Sequence, residues 1–252
     1  MYLRMVEAIV KIDGEELLGE IYSDKILSSL GNTPGCIFAG LLHSREQNRK
    51  YISLTLWQSE KDAFNYEVSG EYQRNREKVQ DFLESGSEWK IQLSKDHTVE
   101  YIPVPAEPII RTYPVAKSED PLPAEIPVHS SCLRILSLKI NTGYKEEFIH
   151  IFNSDILPEL KKVEGCLFAF LLDNSENNGE MISLSIWDHA DSVDQYETSG
   201  PYKSFLEKVD HTLGGLYQWK MALENRSKTK TAVTSQDIKI SKFSLITGKT
   251  FT

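Results

Sequence analysis

The chain has 252 residues, of which 40% are hydrophobic and 26% are charged, and its formal net charge is −9. This composition is that of a globular protein with one large or two small domains, and it excludes a chain that is disordered throughout. The negative charge argues against nucleic acid as a partner, because affinity for a polyanion depends on Lys and Arg that neutralise phosphates.

The sequence leads us to expect no membrane span, signal peptide, disulfide framework or metal site. No apolar run reaches the roughly 20 residues that cross a bilayer, and the opening MYLRMVEAIVKIDGEE reads as an alternating strand rather than a signal peptide. The three cysteines include no CxxC pair and no Cys/His cluster, so we predict neither a disulfide framework nor a metal site. We expect a soluble, cytoplasmic protein with no membrane partner and no cofactor.

An internal repeat at a constant offset of 130 residues dominates the sequence. Between Gly35 and Leu93, 24 of 59 positions are identical to those 130 residues later, without a gap. The matching segments are GCIFAGLL and GCLFAFLL (from Gly35 and Gly165), ISLTLW and ISLSIW (from Ile52 and Ile182), and YEVSGEY and YETSGPY (from Tyr66 and Tyr196). Such self-similarity predicts two copies of one unit.

Each copy begins with a strand and a helix. Alternating residues predict the first strand, MVEAIVKI from Met5 and ILSLKI from Ile135. Apolar residues at helical spacing then predict a helix over Gly14–Leu30 and Gly143–Val163. The second of these helices is expected to kink or restart at Pro158, because proline lacks an N–H donor.

A hairpin, a divided helix and a last strand complete each copy. The hairpin strands are predicted at Cys36–His43 and Tyr51–Trp57, and at Cys166–Asp173 and Met181–Trp187. Helices broken near Gly70 and Gly200 follow them. The fourth strands are predicted at Trp89–Leu93 and Trp219–Leu223.

The remaining segments are a proline-rich stretch and a tail. Seven of the ten prolines lie from Pro103 to Pro127, which favours an extended connector, laid along a surface or a sheet edge. The tail alternates in part and has no counterpart after the first copy, and the sequence leaves an edge strand and a mobile tail as alternatives. The predicted domains are repeat 1 (1–103), linker (104–131), repeat 2 (132–223) and tail (224–252).

The predicted fold class is α+β, with two ferredoxin-like β-α-β-β-α-β repeats. A four-stranded antiparallel sheet with both helices on one side leaves its other face bare, and a second identical sheet can cover it. In the third strands, the aliphatic residues point one way, and the small polar residues and the Trp point the other way. The aliphatic face suits a dry contact between the sheets, and the polar face suits the floor of a hollow under the helices. The aliphatic set is Ile52, Leu54, Leu56, Ile182, Leu184 and Ile186.

These motifs resemble those of antibiotic-biosynthesis-monooxygenase-like (ABM) domains of the dimeric α+β barrel superfamily. The resemblance covers both repeats and rests on three features. These are the Gly before strand two (Gly35, Gly165), the strand-three Trp before an acidic helix start, and Tyr-x-x-Ser-x-x-Tyr at Tyr66–Tyr72 and Tyr196–Tyr202. It implies an intramolecular version of the dimeric barrel, so we expect a monomeric pseudo-dimer or a dimer of pseudo-dimers.

The resemblance also implies candidate chemistries. Haem-degrading relatives use an Asn on strand one, a Trp in the helix after strand three and a His further along that helix. Those positions fall on Ala8, Tyr66 and Arg76 in repeat 1, and on Leu138, Tyr196 and Leu206 in repeat 2. Because Arg and Leu cannot supply the axial ligand that iron needs, haem degradation is not predicted.

The leading hypothesis is a cofactor-independent monooxygenase that acts on an aromatic or quinone-like small molecule. Such an enzyme must bind a flat ring, stabilise its anion and exclude water. The catalytic candidates are Trp57, Tyr66, Tyr72, Trp187, Tyr196, Tyr202 and His150. The candidates for hydrogen bonding to substrate are Ser53, Thr55, Ser183 and Ser185.

The alternative is a non-catalytic ligand-binding or stress-related module whose pockets are filled by side chains. Aromatic residues at a junction between helix and sheet are usually part of the core. The two copies also share no His and no charged acid–base pair, whereas proton transfer normally needs a group with a tuned pKa. The sequence leaves both alternatives open.

Overall fold

A computed structural model describes residues 1–93, 99–105, 108–117, 126–128, 130–174, 179–214 and 238–251. The strands are β1 (Tyr2–Ile9), β2 (Cys36–Ser44), β3 (Lys50–Trp57), β4 (Ser85–Leu93), β5 (Val99–Pro105), β6 (Ile109–Lys117), β7 (Cys132–Lys139), β8 (Cys166–Asn174), β9 (Glu180–Trp187) and β10 (Ile238–Thr250). The helices are α1 (Glu15–Ile21), α2 (Leu27–Gly31), α3 (Glu60–Val68), α4 (Glu71–Glu77), α5 (Lys145–Ile151), α6 (Leu157–Leu160), α7 (Ala190–Thr198) and α8 (Gly200–Val209). In the described part of the chain, each helix is too short or too polar to cross a bilayer.

Eight strands form a closed antiparallel barrel in the order β1-β3-β2-β10-β7-β9-β8-β6. Repeat 1 with the following β6 supplies the contiguous strands β6-β1-β3-β2, and repeat 2 with the following β10 supplies β10-β7-β9-β8. The helices lie outside the ring. The α+β fold with two ferredoxin-like repeats, joined as an intramolecular dimeric α+β barrel, is therefore confirmed.

The faces of the sheets are also as predicted. All six aliphatic residues of the third strands lie in one buried cluster inside the barrel, together with residues from both repeats. Two further clusters lie outside the barrel, one under the helices of each repeat. Each sheet buries the apolar face of the other in one shared interior, and this burial of apolar surface stabilises the pairing of the two repeats.

The last strand of each repeat is not where the sequence predicted it. β6 falls in the predicted linker and lies between β1 and β8, and β10 falls in the predicted tail and lies between β2 and β7. β10 therefore has neighbours on both sides and is not an edge strand. β6 and β10 keep the offset of 130, since Leu3 pairs with Tyr113 as Leu133 pairs with Phe243. The expectation that the tail has no counterpart in the first copy is wrong.

The proline content of β6 explains this error. Pro114 lies opposite Tyr2, at the end of the β1 ladder, and the contact with β8 begins only at Val115. A proline is tolerated at such a point because it removes a hydrogen-bond donor where the strand changes partner. Proline density alone therefore does not identify a connector.

The predicted fourth strand at Trp89–Leu93 is part of β4, but among the described strands β4 pairs with β5 in a separate two-stranded sheet and does not join the barrel. Its predicted counterpart at Trp219–Leu223 lies outside the described residues. The barrel positions that we expected these segments to fill are taken by β6 and β10.

The helices follow the predicted pattern, with one correction. α3 and α4 are separated at Gly70, whose φ is 80°, and α7 and α8 are separated at Ser199. The break near Pro158 is a π-helical turn at Phe152–Ile156, and repeat 1 has the same turn at Tyr22–Ile26 without a proline. Proline is therefore not the cause of the irregularity.

Candidate functional site

A cavity lies in repeat 1 between the outer face of the sheet and the helices. Its volume, counted as space for the centres of water molecules, is ≈ 80 Å³. Roughly 10–15 Å³ by this measure holds one water molecule, so the cavity has room for several. Most of its wall is aliphatic. Its polar lining residues include Arg4, Tyr22, Ser53, Tyr66, Tyr72 and Asn75.

The alternation of β1 places a charged residue in this cavity. Leu3 and Met5 point into the barrel, whereas Arg4 and Ala8 line the cavity on the other face. The Arg4 side chain is only 3% exposed. Its guanidinium carbon lies 4.2 Å from the centre of the Tyr72 ring, which is within the range of a cation–π contact.

Arg4 is incompletely paired. Its Nη2 atom is 3.7 Å from Oε1 of Glu67, which is beyond hydrogen-bond range. Neither Nε nor Nη2 has a hydrogen-bond partner among the described residues. Because an unpaired buried charge is costly, these two N–H groups favour any hydrogen-bond acceptor that enters the cavity.

Neutral hydroxyl groups form the rest of the polar wall. The Tyr22 hydroxyl and Ser53 Oγ are hydrogen-bonded at 2.8 Å. Asn75 Nδ2 donates to the Tyr66 hydroxyl at 3.1 Å. These bonds fix the rings, since each hydroxyl is held by a neighbour on another element.

Burial controls the protonation of these groups. It raises the pKa of Tyr22 above its ordinary value, and it raises the pKa of Tyr66 to about 12. It also raises the pKa of the Cys36 thiol to about 12. All three groups therefore keep their protons at neutral pH, so the phenols act as hydrogen-bonding groups and not as bases.

The same space in repeat 2 is largely filled. The corresponding cavity measures ≈ 30 Å³. At the offset of 130, larger or less polar side chains replace those of repeat 1. The pairs are Ala8 and Leu138, Leu18 and Phe148, Tyr22 and Phe152, Asn75 and Phe205, and Arg76 and Leu206. The phenylalanines Phe148 and Phe152 are buried and lie in the core cluster of this repeat.

The buried arginine of repeat 2 is neutralised by its own chain. Arg134 Nε donates to Glu197 Oε1 at 2.7 Å. Lys242 on β10 lies 2.7 Å from Glu197 Oε2 and 2.7 Å from Asp194 Oδ1. In repeat 1, the residues at the positions of Asp194 and Lys242 are the uncharged Phe64 and Thr112. The carboxylate that would pair with Arg4 is correspondingly more exposed, at 44% for Glu67 against 18% for Glu197.

The structure places the predicted tyrosines and serines as follows. Ser53, Thr55, Tyr66 and Tyr72 line the cavity of repeat 1. Ser183, Tyr196 and Tyr202 line the smaller cavity of repeat 2. Ser185 is buried and accepts a hydrogen bond from Trp187 Nε1 at 2.8 Å.

The tryptophans and the histidine lie elsewhere. Trp57 and Trp187 are both fully buried behind the cavities, where Trp57 Nε1 donates to Thr55 Oγ1 at 2.9 Å. Each Trp ring contacts the following Tyr with ring centres 5.0 Å apart. They support the walls rather than form them. His150 is exposed on α5, away from both cavities.

Sequence reasoning missed Arg4, Tyr22 and Asn75. Arg4 has a sequence signal, because Arg4 and Arg134 lie at the offset of 130 and each stands between two apolar residues, in LRM and LRI. This pair lies outside the stretch of high identity that begins at Gly35, in first strands that match in pattern more than in residue identity. Tyr22 and Asn75 have no counterpart of the same type in repeat 2 and could not be found from the repeat.

Comparison with known proteins agrees with the fold. The structure of a candidate monooxygenase from Fusobacterium nucleatum aligns with a TM-score of 0.66 at 10% identity, covering 99% of this chain and 94% of that one. A candidate monooxygenase from Lactobacillus acidophilus aligns with a TM-score of 0.63 at 9% identity, covering 99% and 96%. An anthrone oxidase-like protein aligns with a TM-score of 0.53 at 11% identity, covering 99% and 93%. At these identities the likeness shows a shared fold. No curated protein sequence matches significantly.

The protein-family model described as "Antibiotic biosynthesis monooxygenase" matches the chain twice, over residues 1–78 and 133–208. The two matches start and end at nearly equivalent positions of the two repeats, and together they cover more than half of the chain. The chain belongs to the antibiotic biosynthesis monooxygenase (ABM) family.

Proposed function

We propose that repeat 1 binds a small, largely apolar aromatic molecule in its cavity and oxidises it with O₂ without a cofactor, while repeat 2 serves as the structural partner that closes the barrel. The observation that carries this proposal is the difference between the cavities. The cavity of repeat 1 is ≈ 80 Å³ and has hydroxyl and guanidinium groups in its wall, whereas that of repeat 2 is ≈ 30 Å³.

The chemistry requires a substrate that itself supplies the electrons. An electron-rich phenol or enol, once deprotonated, transfers an electron to O₂, and the two radicals combine. Overall, a CH₂ carbon loses two hydrogens and gains one oxygen as a carbonyl, and the second oxygen atom leaves as water. No external reductant is needed for this balance. The protein binds the ring, stabilises its anion and excludes water.

The residues of repeat 1 fit these three tasks. Tyr66 is protonated, accepts from Asn75 and can donate its own O–H to a substrate oxygen, and Arg4 supplies positive charge. The aliphatic wall excludes water from the ring. The lining residues include no carboxylate and no imidazole among those the structure describes, so the acidity of the substrate, raised by Arg4, replaces a general base.

That missing base is also what favours the second candidate function, a module that binds the same class of molecule without reacting. Oxygen consumption decides between the two. The full chain is mixed with a panel of quinols and polyketide phenols in an oxygen electrode, with Tyr66→Phe and Tyr196→Phe as a matched pair. We expect uptake of O₂ that falls about 100- to 1,000-fold in Tyr66→Phe, as when one donor to an oxyanion is removed, and that is unchanged in Tyr196→Phe. Equal loss in both variants would contradict the assignment to repeat 1. Tight binding without uptake would favour the binding module.

A further inference from the structure

Among the described residues, Arg134 lacks a hydrogen-bond acceptor on Nη2 alone, whereas Arg4 lacks one on two N–H groups. These groups are Nε and Nη2, which lie on the same edge of the guanidinium plane. Two parallel N–H bonds on one edge match two oxygen atoms that share a negative charge, as in a carboxylate. The edge is inside the protein, because the side chain is only 3% exposed.

Repeat 2 shows the same kind of arginine with a carboxylate in place. Glu197 accepts from Arg134 Nε at 2.7 Å and is held there by Lys242, which is 2.7 Å from its second oxygen. The barrel therefore accommodates a carboxylate at this edge. In repeat 1 the equivalent Glu67 stays 3.7 Å away and has no equivalent of Lys242, because Thr112 lies opposite Arg4 where Lys242 lies opposite Arg134.

We infer that the ligand of repeat 1 is a flat apolar molecule that carries a carboxylate, or another anion shared by two oxygen atoms, and that Arg4 binds this group from one edge. The apolar body lies against the aliphatic wall, and the anion replaces the carboxylate that repeat 2 supplies from its own chain. This inference rests on the proposed binding function of repeat 1, but it does not require that the ligand be oxidised.

The geometry also makes Arg4 a determinant of specificity. A neutral molecule of the same shape leaves both N–H groups without an acceptor, so the site discriminates against it. A site with buried polar groups rejects ligands that cannot satisfy them much more strongly than an apolar pocket rejects a ligand of the wrong size.

Binding of 2-naphthoate and of its neutral counterpart 2-naphthamide to the full chain tests this inference by calorimetry. Neither probe is expected to react with O₂, so the result is separate from turnover. We expect the wild type to prefer naphthoate by about tenfold or more, as for a charge-assisted bidentate pair. Arg4→Met should remove the preference and keep binding of naphthamide, which also shows that the cavity is intact. Arg134→Met is the matched control and should keep the preference.

Glu67→Gln provides a second variant that does not disturb the buried arginine. It removes the carboxylate nearest to the edge and should strengthen binding of naphthoate, because an exposed negative charge at 3.7 Å from Nη2 competes with the ligand. Equal affinity of the wild type for the two probes, or an unchanged preference in a folded Arg4→Met, would overturn the inference. So would weaker binding of naphthoate by Glu67→Gln. A preference for naphthoate without O₂ uptake from the phenol panel would support this inference and contradict the proposed oxygenase activity.

Discussion

Repeat 1 and repeat 2 share one backbone plan and differ in the space between the sheet and the helices. Even the registers of their last strands agree at the offset of 130. In repeat 2 that space is filled by phenylalanines and its buried arginine is paired with Glu197, whereas repeat 1 keeps a cavity and an arginine without an acceptor on two nitrogens. A fused pair needs both halves to close the barrel but only one to bind a ligand. The space under the helices of the other half can therefore be filled by side chains.

The largest expected difference concerns core packing. Phe148→Ala should cost about 3–5 kcal/mol of the free energy of unfolding, because Phe148 is fully buried in a filled core. The corresponding Leu18→Ala should cost about 2 kcal/mol, the low end for such a change, because Leu18 already borders a cavity. Urea denaturation of both variants measures the difference. A larger loss for Leu18→Ala would mean that repeat 1 is the better packed half.

Next in size is the loss of the carboxylates beside the two arginines. Glu197→Gln should destabilise the protein by about 2–3 kcal/mol, because it leaves Arg134 buried with a weaker acceptor. Glu67→Gln should cost less than about 1 kcal/mol, since Glu67 is 44% exposed and makes no hydrogen bond to Arg4. The same denaturation series measures both. Equal losses would show that Arg4 and Glu67 are paired in solution, which would break the comparison.

Filling the cavity should have a smaller effect on stability. Leu18→Phe introduces the residue of repeat 2 into repeat 1, and we expect a change below about 1.5 kcal/mol because the ring enters existing space. In repeat 2, Leu138→Phe adds volume to a filled site and should cost about 1–3 kcal/mol. Thermal unfolding tests the order of the two. Leu18→Phe should also abolish binding of any ligand that occupies the cavity.

The smallest effect is the pH dependence of stability caused by one buried thiol in each repeat. Burial raises the pKa of the Cys36 and Cys166 thiols from 9.0 to about 12. The folded chain keeps these protons when the unfolded chain releases them, so their contribution is complete below pH 9 and falls as the pH rises towards 12. Between pH 9 and 10 the loss should grow by about 1 kcal/mol for each thiol. The double variant Cys36→Ala, Cys166→Ala should therefore show a shallower loss of stability between pH 9 and 10. An unchanged slope would show that the thiols are solvated.

The sequence predicted the parts of the fold that depend on periodicity and repetition. The alternation in ISLTLW and ISLSIW predicted which residues face the barrel interior, and the structure confirms it. Pairing between strands that are distant in sequence was not predicted. β6 contains Pro114 and lies in a proline-rich segment, which was interpreted as a connector. β6 is recognised as a strand by its pairing with β1, from Tyr2 opposite Pro114 to Glu7 opposite Ile109.

The candidate site was predicted only in part. Tyr66 and Tyr72 were predicted correctly because the Tyr-x-x-Ser-x-x-Tyr motif occurs twice. Repetition also selected Trp57 and Trp187, which are buried behind the cavity wall. A shared motif cannot tell a hollow copy from a filled one. That distinction depends on residues that differ between the repeats, such as Leu18 and Phe148. A search for identical residues passes over them, and their effect is seen only in the packed structure.

Xenon binding tests the central claim, that one repeat is hollow and the other is filled, most directly. Xenon enters apolar cavities in pressurised crystals and is visible through its scattering. We predict a strong xenon site in repeat 1 beside Leu18 and Tyr22, and a weak or absent one beside Phe148 and Phe152. Equal occupancy of the two repeats, or a site only in repeat 2, would contradict the division of roles between them.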